Sequence, residues 1–150
     1  MQVDRANPIL LTGSDGSIGR AAVSGLLAAG WRVRGFDRLP TPGTDEFVVG
    51  DLTDAAALRK AAAGAGAIIH LAAVPDDDDF LTQLLPNNLI GLHNVLEAAR
   101  LEGVRRVLLA SSGQVVWWRL LDGPWPIPPD APYSPRHWYA VTKVAAEAAG

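Results

Sequence analysis

Tyr139 and Lys143 stand four residues apart in Tyr139-Ala140-Val141-Thr142-Lys143. On a helix that spacing puts both side chains on one face. A free phenol ionises near pH ~10, and a neighbouring ammonium lowers that toward the range of a useful acid/base. Taken alone, the pair is equally an ordinary amphipathic helix. It gains weight from two hydroxyls further back, Ser111 and Ser112, either of which could hold a substrate oxygen while its proton leaves. A second set of residues is Thr12-Gly13-Ser14-Asp15-Gly16-Ser17-Ile18-Gly19, set between an apolar run and a helical pattern. Its glycines allow a tight turn and a close approach to a pyrophosphate. The helix start that follows supplies free N–H groups and a partial positive charge. A plain flexible turn is the alternative reading. Asp37 follows about 20 residues on, where a carboxylate accepts hydrogen bonds from the adenosine ribose hydroxyls. Its charge would repel a 2′-phosphate, so the expected cofactor is NAD; Arg38 beside it could pair with that phosphate and leaves the preference against NADP open. In Gly50-Asp51-Leu52-Thr53, the carboxylate could meet the adenine amino group or cap the next helix.

These residues need elements that hold them at one edge. Ile9 to Thr12 reads as a strand entering the glycine turn. Ser17 to Ala29 reads as a helix stopped by Gly30. Further strands are expected at Trp31 to Phe36, Glu46 to Val49, Ala67 to Leu71 and Arg106 to Ala110. Helices are expected at Thr53 to Ala63, with Thr53 or Asp54 near its cap, at Phe80 to Leu101, interrupted near Pro86, and at His137 to Gly150. Leu121 to Pro135 is proline-rich and reads as loop. Strands alternating with helices predict an α/β fold: a doubly wound parallel sheet of Rossmann type. Ligands of such sheets sit at the carboxyl ends of the strands, where Ser111 and Ser112 fall. Residues 1–150 are expected to form a single NAD-binding domain. About five strands are visible where the common form has about six, so a C-terminal, substrate-binding segment is expected to be missing. Val141, Val144, Ala145 and Ala148 of the last helix would then lack a cover.

Composition narrows the class. The 150 residues carry a formal net charge of -3, without the basic face that nucleic acid requires. No apolar run approaches the roughly 20 residues of a membrane span. Met1 to Pro8 lacks the apolar core of a signal peptide. Cysteine is absent, which excludes disulfides and thiolate chemistry and fits a cytoplasmic protein. No metal site is expected: Asp76 to Asp79 reads as a solvated loop and helix start, and His70, His93 and His137 lack ligand spacing. Trp117, Trp118, Trp125 and Trp138 could stack on a sugar ring, cover a hydrophobic edge or fill an interface.

The ordered series TGSDGSIG, Asp37, GDLTD, His70-Leu71-Ala72-Ala73, NNLIGLHNVLEAAR, Ser111-Ser112 and YAVTK resembles the extended short-chain dehydrogenases, the group of NAD-dependent epimerases and dehydratases. Within it the sequence is most similar to the uronate dehydrogenases, which oxidise the anomeric carbon of a hexuronic acid to a lactone with NAD. The resemblance implies that Tyr139 is the catalytic acid/base, that Lys143 tunes it and binds the nicotinamide ribose, and that Ser112, rather than Ser111, is the catalytic serine. It implies cofactor contacts from Gly13, Ser14, Asp15, Gly16, Ser17, Ile18, Gly19, Asp37, Arg38, Asp51, Leu52, Leu71, Ala72, Ala73 and Asn88, with Asn88 also supporting the active site. Substrate contacts are expected from Ser111, Ser112, Gly113 and Tyr139. Gly113 and Gln114 stand where uronate dehydrogenases carry Asn and His, and Pro75 where they carry a small hydroxyl residue. The arginine for the substrate carboxylate would lie beyond Gly150.

The leading expectation is therefore an NAD-dependent oxidoreductase acting on a sugar or sugar acid, with a hexuronate as the substrate. A nucleotide-sugar epimerase or dehydratase would use the same residues with a tightly held cofactor. A non-catalytic NAD-binding module or truncated remnant is the reading outside enzymes. The resemblance also implies a homodimer paired through the helix after the fourth strand and the Tyr/Lys helix.

Overall fold

The computed structural model describes residues 5–123 and 125–150. Half of the N-terminal stretch read for a signal, residues 1–4, and Pro124 of the proline-rich loop lie outside them. Five parallel strands form one sheet: β1 (Ile9–Thr12), β2 (Val33–Asp37), β3 (Glu46–Val49), β4 (Ala67–His70) and β5 (Val107–Leu109), in the order β3-β2-β1-β4-β5. Successive residues of β1 point to opposite faces. Leu10 packs with Phe36, Ile68, Leu58 of α2 (Ala55–Ala62) and Val95 of α3 (Gly91–Leu101). Leu11 packs on the other face with Val33 and Val23 of α1 (Ser17–Ala28). Both faces are thus covered, which is what an all-parallel sheet requires. Each fully buried side chain of this size contributes roughly 1.5–3 kcal/mol.

Several boundaries differ from expectation. β2 runs to Asp37 rather than stopping at Phe36, because Asp37 pairs with Val49 of β3; Trp31 lies outside it. The helix expected from Phe80 is continuous through Pro86, but its turns are wide over Phe80–Ile90. Pro86 has no N–H to donate and its ring crowds the preceding turn. The Leu84 N–H reaches the Asp79 carbonyl, five residues back, and the Gly91 N–H reaches that of Pro86. Asp54, not Thr53, caps α2 by accepting the Ala57 N–H. Leu121 and Asp122, expected in loop, end the short helix α4 (Arg119–Asp122). The last helix, α5, spans Trp138–Ala149, and His137 precedes it as the cap, its Nδ1 accepting the Ala140 N–H. α5 lies against the wide-turned helix. Among the described residues no helix is long and apolar enough to cross a membrane, and no group of three or more His, Asp or Glu is placed to hold a metal.

Candidate active site

The strand order turns around at β1, which has β2 on one side and β4 on the other. Loops leaving neighbouring strands in opposite directions open a crevice there, and a cleft of about 580 Å³ occupies it. Its floor is the glycine turn. Gly13 leaves β1 with φ 72°, and a Cβ on it would lie 2.6 Å from the Ala72 nitrogen. A Cβ on Gly19 would lie 2.0 Å from the Gly13 carbonyl oxygen. The turn is therefore packed backbone on backbone, with the start of α1 beneath it. No side chain caps α1, and its first turn holds no acidic residue. Its leading N–H groups remain available for an anion.

Gly13, Asp15, Gly16, Ser17, Ile18 and Gly19 line this cleft, with Asp37, Arg38, Asp51, Leu52, Leu71, Ala72 and Ala73. Asp37 is held in place by two N–H donors: Asp15 N–H to Oδ2 at 2.9 Å and Arg38 N–H to Oδ1 at 2.7 Å. Asp51 accepts from both the N–H and the hydroxyl of Thr53, and those bonds hold its carboxyl below the usual range. It thus faces the cleft and braces the following turn at once.

Two residues expected here lie elsewhere. Ser14 is fully buried, and its hydroxyl is bonded to Thr41 at 2.7 Å. It points inward because Gly13 and Gly16 turn the backbone around it. Asn88 is buried too. Its Oδ1 accepts the Val74 N–H at 2.8 Å, while its Nδ2 donates to the Val74 carbonyl and, at 3.1 Å, to the Thr142 hydroxyl. It clasps the cleft wall to α5, and its neighbour Asn87 lines the cleft instead.

Tyr139, Lys143 and Ser112 do not line the cleft, and Lys143 adjoins it. The link is Ala72 and Ala73, which line both the cleft and a chamber of about 10 Å³ walled by His70, Ala110, Thr142 and Lys143. Tyr139 and Lys143 are buried on one face of α5, with the ammonium 5.8 Å from the phenol ring centroid. Lys143 Nζ donates to the Ala110 carbonyl at 2.9 Å, and burial pulls its pKa down. His70 closes the far side of the chamber. Burial, aided by the charge of Lys143, pushes its pKa down to about 4, so it is a neutral imidazole. The Thr12 hydroxyl lies 2.7 Å from its Nδ1. The same hydroxyl receives the Ala72 N–H at 3.4 Å, so it joins His70 to the wall shared by chamber and cleft.

Ser112 begins a short 3₁₀ turn, Gly113–Val116, with its Oγ accepting the Gln114 N–H at 3.2 Å. Ser111, expected to face substrate, instead donates to Glu147 of α5. Asp77 and Glu147 stand out only in three dimensions. Asp77 accepts the Tyr139 N–H at 3.1 Å and lies 3.5 Å from His137 Nδ1. The acidic run around Asp77 hid this role, because the N–H it accepts lies 62 residues further along the chain. Glu147 repeats the four-residue step from Tyr139 to Lys143 once more, a signal present in the sequence.

A sheet that reverses its order at a glycine turn, with a carboxylate waiting at the end of the next strand, is a dinucleotide-binding domain of Rossmann type. The uncapped helix start suits a diphosphate and the braced Asp37 suits a ribose diol. More narrowly, the chain belongs to the NAD-dependent epimerase/dehydratase family, whose model matches residues 9–149. It is 33% identical over 145 residues to a uronate dehydrogenase of Pseudomonas putida, covering 94% of this chain and 53% of that protein. A 3-beta-hydroxysteroid dehydrogenase of Mycolicibacterium neoaurum is 33% identical over 119 residues, covering 72% of this chain and 32% of its own. Among solved structures, a mutant uronate dehydrogenase from Agrobacterium tumefaciens complexed with NAD superposes with a TM-score of 0.82 at 32% identity, covering 95% of this chain and 54% of that one. The chain thus spans about half the length of these uronate dehydrogenases. NAD is the cofactor of the family.

Proposed function

We propose that this chain is the cofactor-binding and proton-transferring part of an NAD-dependent oxidoreductase. Its target is the CH–OH or hemiacetal carbon of a sugar, a hexuronate first among them. The observation that carries the reading is the Tyr139–Lys143 face of α5, buried beside Ala110 at the exit of β5 and next to the cleft. NAD, when bound, supplies the hydride acceptor. The α1 start with Gly13, Gly16 and Ser17 would hold its diphosphate, Asp37 the adenosine ribose, and Asp51 and Leu52 the adenine side. Tyr139 takes the hydroxyl proton through its phenolate form, whose charge Lys143 balances until the proton arrives, and Ser112 holds the oxygen the proton leaves. Both of the relatives described above are dehydrogenases by name, which favours net oxidation. The family also spans epimerases and dehydratases, and a cofactor retained through purification would favour those. A homodimer would bring together the wide-turned helix and α5, where Leu81, Ile90 and Val141 are exposed.

The test is a calorimetric titration with NAD, followed by NADH production from hexuronates. Asp37→Ala should weaken NAD about 10- to 100-fold, the size of a lost hydrogen bond to a charged group. Tyr139→Phe should keep NAD binding and lose about 10²–10⁴ in turnover. Full turnover in Tyr139→Phe would overturn the mechanism.

A further inference from the structure

We propose that Glu147 is a positioning residue: its carboxylate fixes the register between α5 and the exit of β5, and so sets Ser112 against Tyr139. This rests on the role proposed above for Ser112 and Tyr139.

α5 presents Tyr139, Lys143 and Glu147 at successive four-residue steps on one face. Lys143 Nζ donates to the carbonyl of Ala110. One turn later, Glu147 Oε1 accepts the hydroxyl of Ser111. Two consecutive residues leaving β5 are therefore gripped by two consecutive turns of one helix, and the next residue in the chain is Ser112. The second carboxylate oxygen, Oε2, accepts the Tyr133 hydroxyl at 2.8 Å. That bond raises the Tyr133 pKa and keeps its proton in place. The adjoining residue, Ser134, donates its N–H to the Val115 carbonyl at 2.8 Å and accepts the Trp118 N–H at 3.3 Å. The segment that returns toward Tyr139 is thereby stitched to the loop that leaves Ser112. One carboxylate closes the ring formed by strand exit, loop, return segment and helix.

The strand itself supplies little constraint. β5 has three residues, lies at the edge of the sheet, and pairs only with β4 among the described strands. An exposed ion pair would contribute little. Here, however, both donors are hydroxyls, each bound by a separate oxygen of one carboxyl group, so the constraint comes from tying three chain segments to one side chain.

The experiment is hydrogen exchange by mass spectrometry on the 150-residue chain, combined with kinetics on a hexuronate. Glu147 is exposed, so Glu147→Ala should fold; Ser111→Ala and Tyr133→Phe each remove one arm. In Glu147→Ala, exchange in residues 112–118 and 133–138 should rise about fivefold or more while the glycine turn stays protected. NAD affinity should hold within about twofold, and kcat should fall about tenfold or more with KM for NAD unchanged. Glu147→Gln, which still accepts one hydroxyl, should recover part of both effects. Unchanged exchange in Glu147→Ala, or a fall in turnover explained by lost NAD affinity, would overturn the proposal. In a wild-type chain that binds NAD without turnover, exchange decides the clasp alone.

Discussion

The turn after β1 and the exit of β5 lie along the same edge of one sheet, but they are closed by different means. At the first, backbone meets backbone: Gly13 against Ala72, and Gly19 against Gly13. β1 has a neighbour on each side, and all four of its residues are buried. At the second, side chains do the closing: Lys143 to Ala110, Glu147 to Ser111 and Tyr133. Leu108 in the middle of β5 is 57% exposed. Among the described residues, the buried side-chain polar atoms without a hydrogen-bond partner are Gln114 Oε1, Arg119 Nε and Ser134 Oγ, all in the segment after β5. A central turn can be specified by the absence of side chains. An edge must be specified by their presence, and each one that matters can be changed separately.

That contrast can be broken most directly at Gly19. Gly19→Ala should cost about 3 kcal/mol or more, since the added carbon meets backbone that has no rotamer to escape into. Urea denaturation measures it, and a cost below about 0.5 kcal/mol would remove the distinction between the two regions. Next in size is acid. The His70 pKa falls from 6.5 to about 4 in the folded chain, so the unfolded chain binds the extra proton between those values. The stabilisation is full above pH 6.5 and lost as pH falls to about 4, at most about 3 kcal/mol in all. His70 touches Thr12 of β1 on one side and shares a chamber with Lys143 on the other, so both regions should loosen together. Denaturation across that range should show the slope, and His70→Gln should flatten it; an equal slope in the variant assigns it to other groups. Smallest is Asn88→Ala, which strips partners from half-buried Val74 and buried Thr142 and should cost about 2 kcal/mol. Asn87→Ala, at the cleft, should leave the denaturation midpoint nearly unmoved.

The same contrast explains what could be read from the sequence. The glycine turn was legible because a backbone requirement leaves glycines in fixed places, and Asp37 was legible because it closes the strand after them. The parallel sheet followed from alternating strands and helices. Ser14 was misplaced because composition says nothing about which way a turn faces. Which way Asn88 faces was not legible, because adjacent residues on a helix point to different sides and the Asn87-Asn88 pair does not announce which one lines the cleft. The widened helix around Pro86 preserved an element that propensity alone would interrupt. The bond from Ser111 to Glu147 was not legible, because its partner lies 36 residues away on α5.

The Asn88 clasp joins the cleft wall at Val74 to α5 at Thr142 through one amide group. A linkage of that kind has no preferred direction. If a ligand resting on Val74 binds more tightly when α5 is ordered, α5 must become more ordered by the same factor when the ligand arrives. The wall and the helix then act as a balance with a single beam, and a substitution at either pan is weighed at the other.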